Sequence, residues 1–295
     1  MKKRLVLIVP ILAGVLMLAL NLAGLKNSEW RIYDVFLKLK PAITEHESIV
    51  LLVVDDNTIN NINMYPLSRD YMADGLVLLR EFGAKYTTFD VEYVDKSPRG
   101  VDSTYLNDDL PDVFSLKFSE IEQSFVGLFQ ALQDGRISMD DAGEYVEELA
   151  SYTAEDMRYL LSEVKKVERD NDDYLGEAAR FFENTFMTVN MLDWRDDTMT
   201  DDFREYATEV LSLKDVTVVD DSSIAVATDL KPTILPVISG AKGAGFPRVV
   251  VDPDGVQRRV DMIYKYEDWY FPQLGLSSLL DWLGNPEIEI HKNRV

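Results

Sequence analysis

A chain of 295 residues with 46% hydrophobic content can bury a sizeable core, as one large domain or two ordinary ones. It has no cysteine and two histidines, His46 and His291, which excludes disulfides and thiol nucleophiles and makes neither a Ser-His-Asp arrangement nor a His-rich metal cage easy to assemble. The net charge of −22 is concentrated: residues 95–221 hold 32 acidic and 12 basic side chains, a surface that repels phosphate backbones and argues against nucleic acid as a partner.

Lys2, Lys3 and Arg4 precede an uncharged run from Leu5 to Leu25. At ~1.5 Å per residue its 21 residues cross a hydrocarbon core of ~30 Å. A cleavable signal would have a shorter apolar region and a small-x-small site, whereas the exit here reads Asn21-Leu22-Ala23-Gly24. An uncleaved anchor is therefore expected over 1–28, with the transmembrane helix at 5–25. The cations before the span place the N-terminus inside and the bulk of the chain outside the cytoplasm, periplasmic or extracellular. No second run of about 18 apolar residues follows, so a single-pass membrane protein is predicted.

Beyond the span, Trp30, Tyr33, Phe36 and Leu37 recur at helical spacing before Pro41. Ser48–Val54 is an unbroken apolar run that predicts a strand covered on both faces. Arg69–Phe82 reads as a helix stopped at Gly83, and Lys85–Phe89 as a second strand, so the three form a right-handed crossover with parallel strands. From Asp95 the pattern turns helical: one amphipathic helix through Phe114, Phe118, Ile121, Phe125, Leu128 and Leu132 to Gly135, a second starting at Ser138–Asp141, and a third at Thr153–Asp156 that extends to Phe182. Strands are predicted at Thr185–Met191 and Asp215–Val219. Pro247–Val251 and Gln257–Tyr264 flank Asp252-Pro253-Asp254-Gly255 as the clearest hairpin. Trp269–Phe271 leads into a helix, Pro272–Leu283, and a short strand follows at Glu287–Ile290.

Asp55 and Asp56 end the first predicted strand and Asp90 the second, so in a parallel sheet all three emerge on the carboxyl edge, where a divalent cation or a basic ligand could be held. The alternative is structural: Asp55 or Asp56 caps a local turn, and Asp90 pairs with Arg69 or Lys85. Tyr65, Pro66 and Arg69 lie where a ligand-facing loop or a plain helix N-terminus would be. The acidic strand ends and Leu230-Lys231-Pro232 also invite a phosphorylated-receiver reading, but the long acidic helical stretch between Asp90 and Lys231 and the expected compartment argue against it. Asp252-x-Asp254-Gly255 lacks the later Glu of a calcium loop, and Gly240–Gly245 lacks the Gly-Lys-Ser/Thr ending of a phosphate loop.

In order along the chain, "RIYDVFLKLKP", "IVLLVVDDNTI", "YPLSRDYMADGLVLLREFGAKYTTFDV" and "GAGFPRVVVDPDGVQRRVDMIYKYEDWYFPQLGLSSLLDWLG" resemble the second class of CHASE domains, the cyclase/histidine-kinase-associated extracellular sensory modules. The resemblance covers about residues 29–95 and 242–291. It implies an extracytoplasmic sensor that passes a conformational signal to a cytoplasmic output such as an adenylate or other nucleotide cyclase or a histidine kinase. It also implies that Asp55, Asp56, Tyr65, Pro66 and Arg69 occupy the family's acidic-strand, aromatic-Pro and Arg positions. The family continues with further strands, spans and an output domain beyond where this sequence stops.

The expected architecture is therefore α/β: a three-layer-like mixed sheet with flanking helices over 29–95 and 216–295, a large acidic helical insertion over 96–215, and one N-terminal transmembrane helix. The expected function is signal input without catalytic residues, metal or cofactor, with Asp55, Asp56, Tyr65, Pro66, Arg69 and Asp90 as ligand-binding candidates. A homodimer is expected, with a small ligand or an envelope protein as the signal and a cytoplasmic output domain or partner. Two other functions remain open: a metal-assisted hydrolase built on Asp55, Asp56 and Asp90, and an envelope interaction or dimerisation protein using the acidic helices.

Overall fold

A computed structural model describes residues 12–18 and 26–292. Residues 12–18 are helical and exposed. No helix among the described residues is long and apolar enough to cross a membrane. Most of the span predicted at 5–25 lies outside the described residues. The chain divides into two compact units, one of residues 1–58 with 250–259, the other of 59–249 with 260–295.

In the N-terminal unit, the predicted amphipathic helix forms as Lys26–Leu39 and closes with the Lys40 amide donating to the Phe36 and Leu37 carbonyls ahead of Pro41. The hairpin forms as antiparallel Val250–Val251 and Gln257–Arg259. Its turn is closed by Gly255 N–H to the Asp252 carbonyl at 2.8 Å, with Gly255 at φ +81°, a backbone state that favours glycine. The predicted strand at 48–54 does not form. Ile49 to Val54 pair with no strand and are 41–84% exposed, so the crossover unit expected of 48–54, 69–82 and 85–89 is absent. An apolar run states a demand for cover; it does not say which strand supplies the hydrogen-bond ladder.

The second unit is built on Thr185–Leu192, whose eight residues are buried except for half-buried Asn190. Thr87–Thr88 and Gly243–Gly245 pair with it in parallel, and Asp229–Pro232 pairs antiparallel with its second half. Helix Arg69–Glu81 packs on helix Asn171–Phe182, and the latter on the short helix Leu235–Ile238. Leu76, Leu175, Phe182, Met187, Val189, Leu230, Ile238, Phe246 and Phe271 meet in one core. A second, smaller cluster of Ile263, Tyr270, Ile288 and Ile290 lies where Ile263–Tyr266 and Trp269–Pro272 form a hairpin and Ile288–Ile290 runs parallel to Val216–Val218. Residues 269–272 are thus a strand rather than only a lead into the helix, which spans Leu274–Trp282.

The segment expected as an acidic insertion divides in two. Leu110–Gln133 and Ala142–Lys165 pack on one another as a helical hairpin, while Asn171–Phe182 and Thr185–Leu192 supply the main helix and the central strand of the second unit. No helix starts at Thr153. Its hydroxyl donates to the Leu149 carbonyl one turn back, inside an unbroken helix. The next helix begins after Asp170, whose carboxylate accepts from the Asp172 and Asp173 amides, the N-cap bond that satisfies otherwise orphaned donors.

Helix 171–182 approaches residues 236–240 so closely that a β-carbon on Gly176 would overlap the Pro236 carbonyl, and one on Gly240 would overlap the Gly176 carbonyl. Both obstacles are backbone, which has little room to yield. Gly176→Ala is predicted to lower stability by about 2–3 kcal/mol, measured as a shift in the urea midpoint. Gly127→Ala, which meets nothing within 4 Å in the middle of helix 110–133, serves as the control and is expected to gain up to about 1 kcal/mol from helix propensity.

Candidate functional site

The predicted candidates are distributed over both units. Asp55 caps the helix Asp56–Ile62: its Oδ1 accepts from the Thr58 amide and hydroxyl, each at 2.8 Å, and its Oδ2 from Asn57 at 3.3 Å. Those bonds, the Thr58 amide first, hold its carboxyl below the usual range. Asp56 opens that helix and is exposed. In the second unit, Asp90, Tyr65 and Pro66 are exposed, the last two joined by a cis peptide bond, and Asp90 forms no ion pair with Arg69 or Lys85. Arg69 points inward: 7% exposed, it pairs with Asp172, donates to the Asp95 carbonyl and stacks over the Tyr93 ring at 5.0 Å. Burial pushes the Tyr93 phenol up to about 12, and its hydroxyl has no partner among the described residues. No group of three or more His, Asp or Glu side chains among the described residues is arranged to hold a metal ion.

Two arrangements carry more of the charge. The first joins the hairpin of the N-terminal unit to its helix. Arg258, with 4% of its side chain exposed, donates from Nε and Nη2 to the two oxygens of Asp34 at 2.6 and 2.8 Å. The same guanidinium reaches Asp254 at 2.7 and 2.9 Å and Asp252 at 3.0 Å, and lies 5.7 Å from the Trp30 ring centre. Its own partners cover it. Bidentate arginine–carboxylate geometry fixes orientation as well as distance, so the hairpin and helix 26–39 are held in one register. The three carboxylates are all shifted down: Asp254 to about 2 and Asp34, both chiefly by their bond to Arg258, and Asp252 by Arg259 and then Arg258.

The second is in the other unit. Asp229 has no exposed surface. Burial alone would raise its carboxyl, but the bonds from Arg204 and from the Asp196 and Leu230 amides outweigh it and hold the group ionised. Arg204 spends all five N–H donors: on both Asp229 oxygens at 3.0 and 2.8 Å, on the carbonyls of Met199 and Asp196, and on Asp201. Beside it, Lys231 pairs with Asp196 at 3.0 Å, and Thr198 and Lys231 lower that carboxyl to about 2. Above this saturated pair opens a cleft of about 380 Å³ lined by Arg195, Arg204, Glu205, Tyr266, Glu267 and Trp269 among others. Arg195 is 52% exposed and makes only long pairs, 3.6 Å to Asp201 and 3.7 Å to Asp229.

Of these residues the sequence singled out only Lys231, Asp252 and Asp254, and each for a reading it then set aside. Nothing local in the sequence separates Arg204, which is buried, from Arg195, which is half exposed, among the twelve cations of the acidic block.

The class that these helices and several small sheets define is a mixed α/β fold. The family model of the CHASE2 domain matches residues 12–293, nearly the whole sequence, and the chain belongs to the CHASE2 family of sensory domains. No curated protein and no solved structure shows significant similarity to it.

Two predictions follow from the charge geometry. Arg204→Met keeps the aliphatic stem but orphans Asp229. The expected loss in urea unfolding is about 3 kcal/mol, at the low end for an orphaned buried charge because the Asp196 and Leu230 amides still donate to Asp229. A loss below about 1 kcal/mol would mean that Asp229 does not depend on Arg204. For the Arg258 clamp, a carboxyl whose folded pKa is depressed stabilises the folded form above its unfolded value, near 3.9, and ceases to as pH falls through the folded value. With Asp254 at about 2, the hairpin should stay on the helix above about pH 5 and release between about pH 4 and 2. Trp30 emission, sensitive to the guanidinium beside it, reports the step; a midpoint above pH 5 would contradict the assignment.

Proposed function

We propose that this chain is the extracytoplasmic signal-input module of a membrane-bound receptor. In this reading, binding of a ligand or partner shifts the exported domain, and helix 26–39 carries the shift toward the membrane and a cytoplasmic output such as a nucleotide cyclase or histidine kinase. Membership of the CHASE2 family supports the sensory role. The observation that carries the coupling is the Arg258–Asp34 fork, which fastens a hairpin to the helix that directly follows the 5–25 apolar run. A signal of this kind needs two arrangements of the clamp and a ligand that prefers one of them, since tight binding to both shifts nothing.

The topology is tested with alkaline phosphatase and green fluorescent protein fused in turn after Leu39. Phosphatase activity with dark fluorescent protein is expected; the reverse pattern would place residues 40–295 in the cytoplasm and end the receptor reading.

A further inference from the structure

The cleft above the Arg204–Asp229 pair has an unusual inventory of unspent groups. Arg204 has no donor left and forms a floor. Arg195, at the side, makes no hydrogen bond among the described residues, so its five donors are open. Tyr266 is only 3% exposed as a residue, its hydroxyl has no hydrogen-bond partner among the described residues, and burial first, then the neighbouring Glu267, push its phenol up. The ring is buried but the hydroxyl oxygen is not among the buried unpartnered atoms, so it is open to the cleft, where water or a ligand can accept from it. A guanidinium fork and a phenol O–H lining one cleft are a donor set for a carboxylate.

A simple anion would fit the remaining groups badly. Glu205, Glu209 and Glu267 line the same cleft and form no ion pair among the described residues. They repel a monoanion and attract ammonium groups. Trp269, on the same wall, already has the Lys214 ammonium 5.7 Å from its ring centre, which shows that the ring accepts a cation at its face. A free cation, in turn, would leave Arg195 and Tyr266 unused.

We propose that this cleft binds a free amino acid, its carboxylate on Arg195 and Tyr266 and its ammonium toward Glu205, Glu209 and Glu267, with lysine and arginine preferred because their second cation meets the remaining carboxylates. The assignment deepens the sensory reading by naming the class of signal, and it rests on that reading only in calling the ligand a signal.

The test is isothermal titration calorimetry of the purified full chain with L-lysine and L-arginine. Cadaverine, which lacks the carboxylate, and Nα-acetyl-lysine, which lacks the α-ammonium, are the comparison probes. Saturable one-to-one binding is expected for both amino acids, weakened at least about tenfold for each comparison probe and in Arg195→Gln. Tyr266→Phe keeps the ring and its packing, and is expected to weaken lysine binding several-fold with an unchanged unfolding midpoint, so the assignment stays testable if Arg195→Gln does not fold. The proposal is overturned by the absence of saturable heat up to about 20 mM of either amino acid, equal binding of cadaverine, or wild-type affinity in Tyr266→Phe. Because binding is read on purified protein, its failure beside an exported reporter would remove the ligand and leave the receptor. Intact binding beside a cytoplasmic reporter would do the opposite.

Discussion

Burial of strand 185–192 on both faces is the constraint from which the second unit follows. With seven of its eight residues buried, the strand needs a ladder on each edge and a layer on each face. Residues 87–88, 229–232 and 243–245 supply the ladders, and the helices 69–81, 171–182 and 274–282 are drawn to the sheet by the same demand. Close helix packing then selects Gly176 and Gly240, because only a residue without a β-carbon lets two backbones approach that far. The strand's end is also where charge enters the interior: Asp229 lies opposite Leu192 in the ladder, fully buried, and is tolerable only because Arg204 and two amides meet it.

The charge imbalance of the sequence is thus sorted rather than merely displayed. Most acids of the 95–221 block remain on the surface, but two interior acids each take an arginine: Asp229 takes Arg204 from within the block, and Asp172 takes Arg69 from outside it. Such pairs add little net stability compared with apolar substitutes, yet they specify register, since a shifted chain would strand an ion. Arg204 reaches that role by exhausting its donors, whereas Arg195, a few residues earlier, keeps all of its own open. One arginine is architecture and its neighbour is available for recognition, a distinction that only donor accounting makes visible.

Local signals were legible in the sequence where local physics decides. Asp-Pro-Asp-Gly at 252–255 marks the hairpin because its glycine takes a positive φ, and the runs at 185–191, 216–218 and 288–290 form strands as their composition predicts. The helix from Leu110 to Gln133 follows its 3.6-residue stripe. Failures came where a partner far along the chain decides. Residues 49–54 have strand composition without a ladder, and Thr153-x-x-Asp156 copies a capping box in mid-helix, where the threonine bonds backward instead. Asp55 resolves as a cap from residues three positions away, but nothing near Arg258 in sequence announces Asp34, 224 residues distant. The cleft was illegible for the same reason, since its walls come from 195–209 and 266–269.

The covalent path between the two charged arrangements bears on how a sensor of this kind could work. Tyr266 follows Arg258 by eight residues, most of them in the strands 257–259 and 263–266. Residues 260–262 between these strands lie in neither of them. The clamp itself resists graded deformation: a bidentate fork with a second and third carboxylate on the same guanidinium loses several charge-assisted bonds together or none. A two-state signal of the kind proposed requires a contact that is made or lost as a whole, and in the N-terminal unit the contact with that property centres on Arg258.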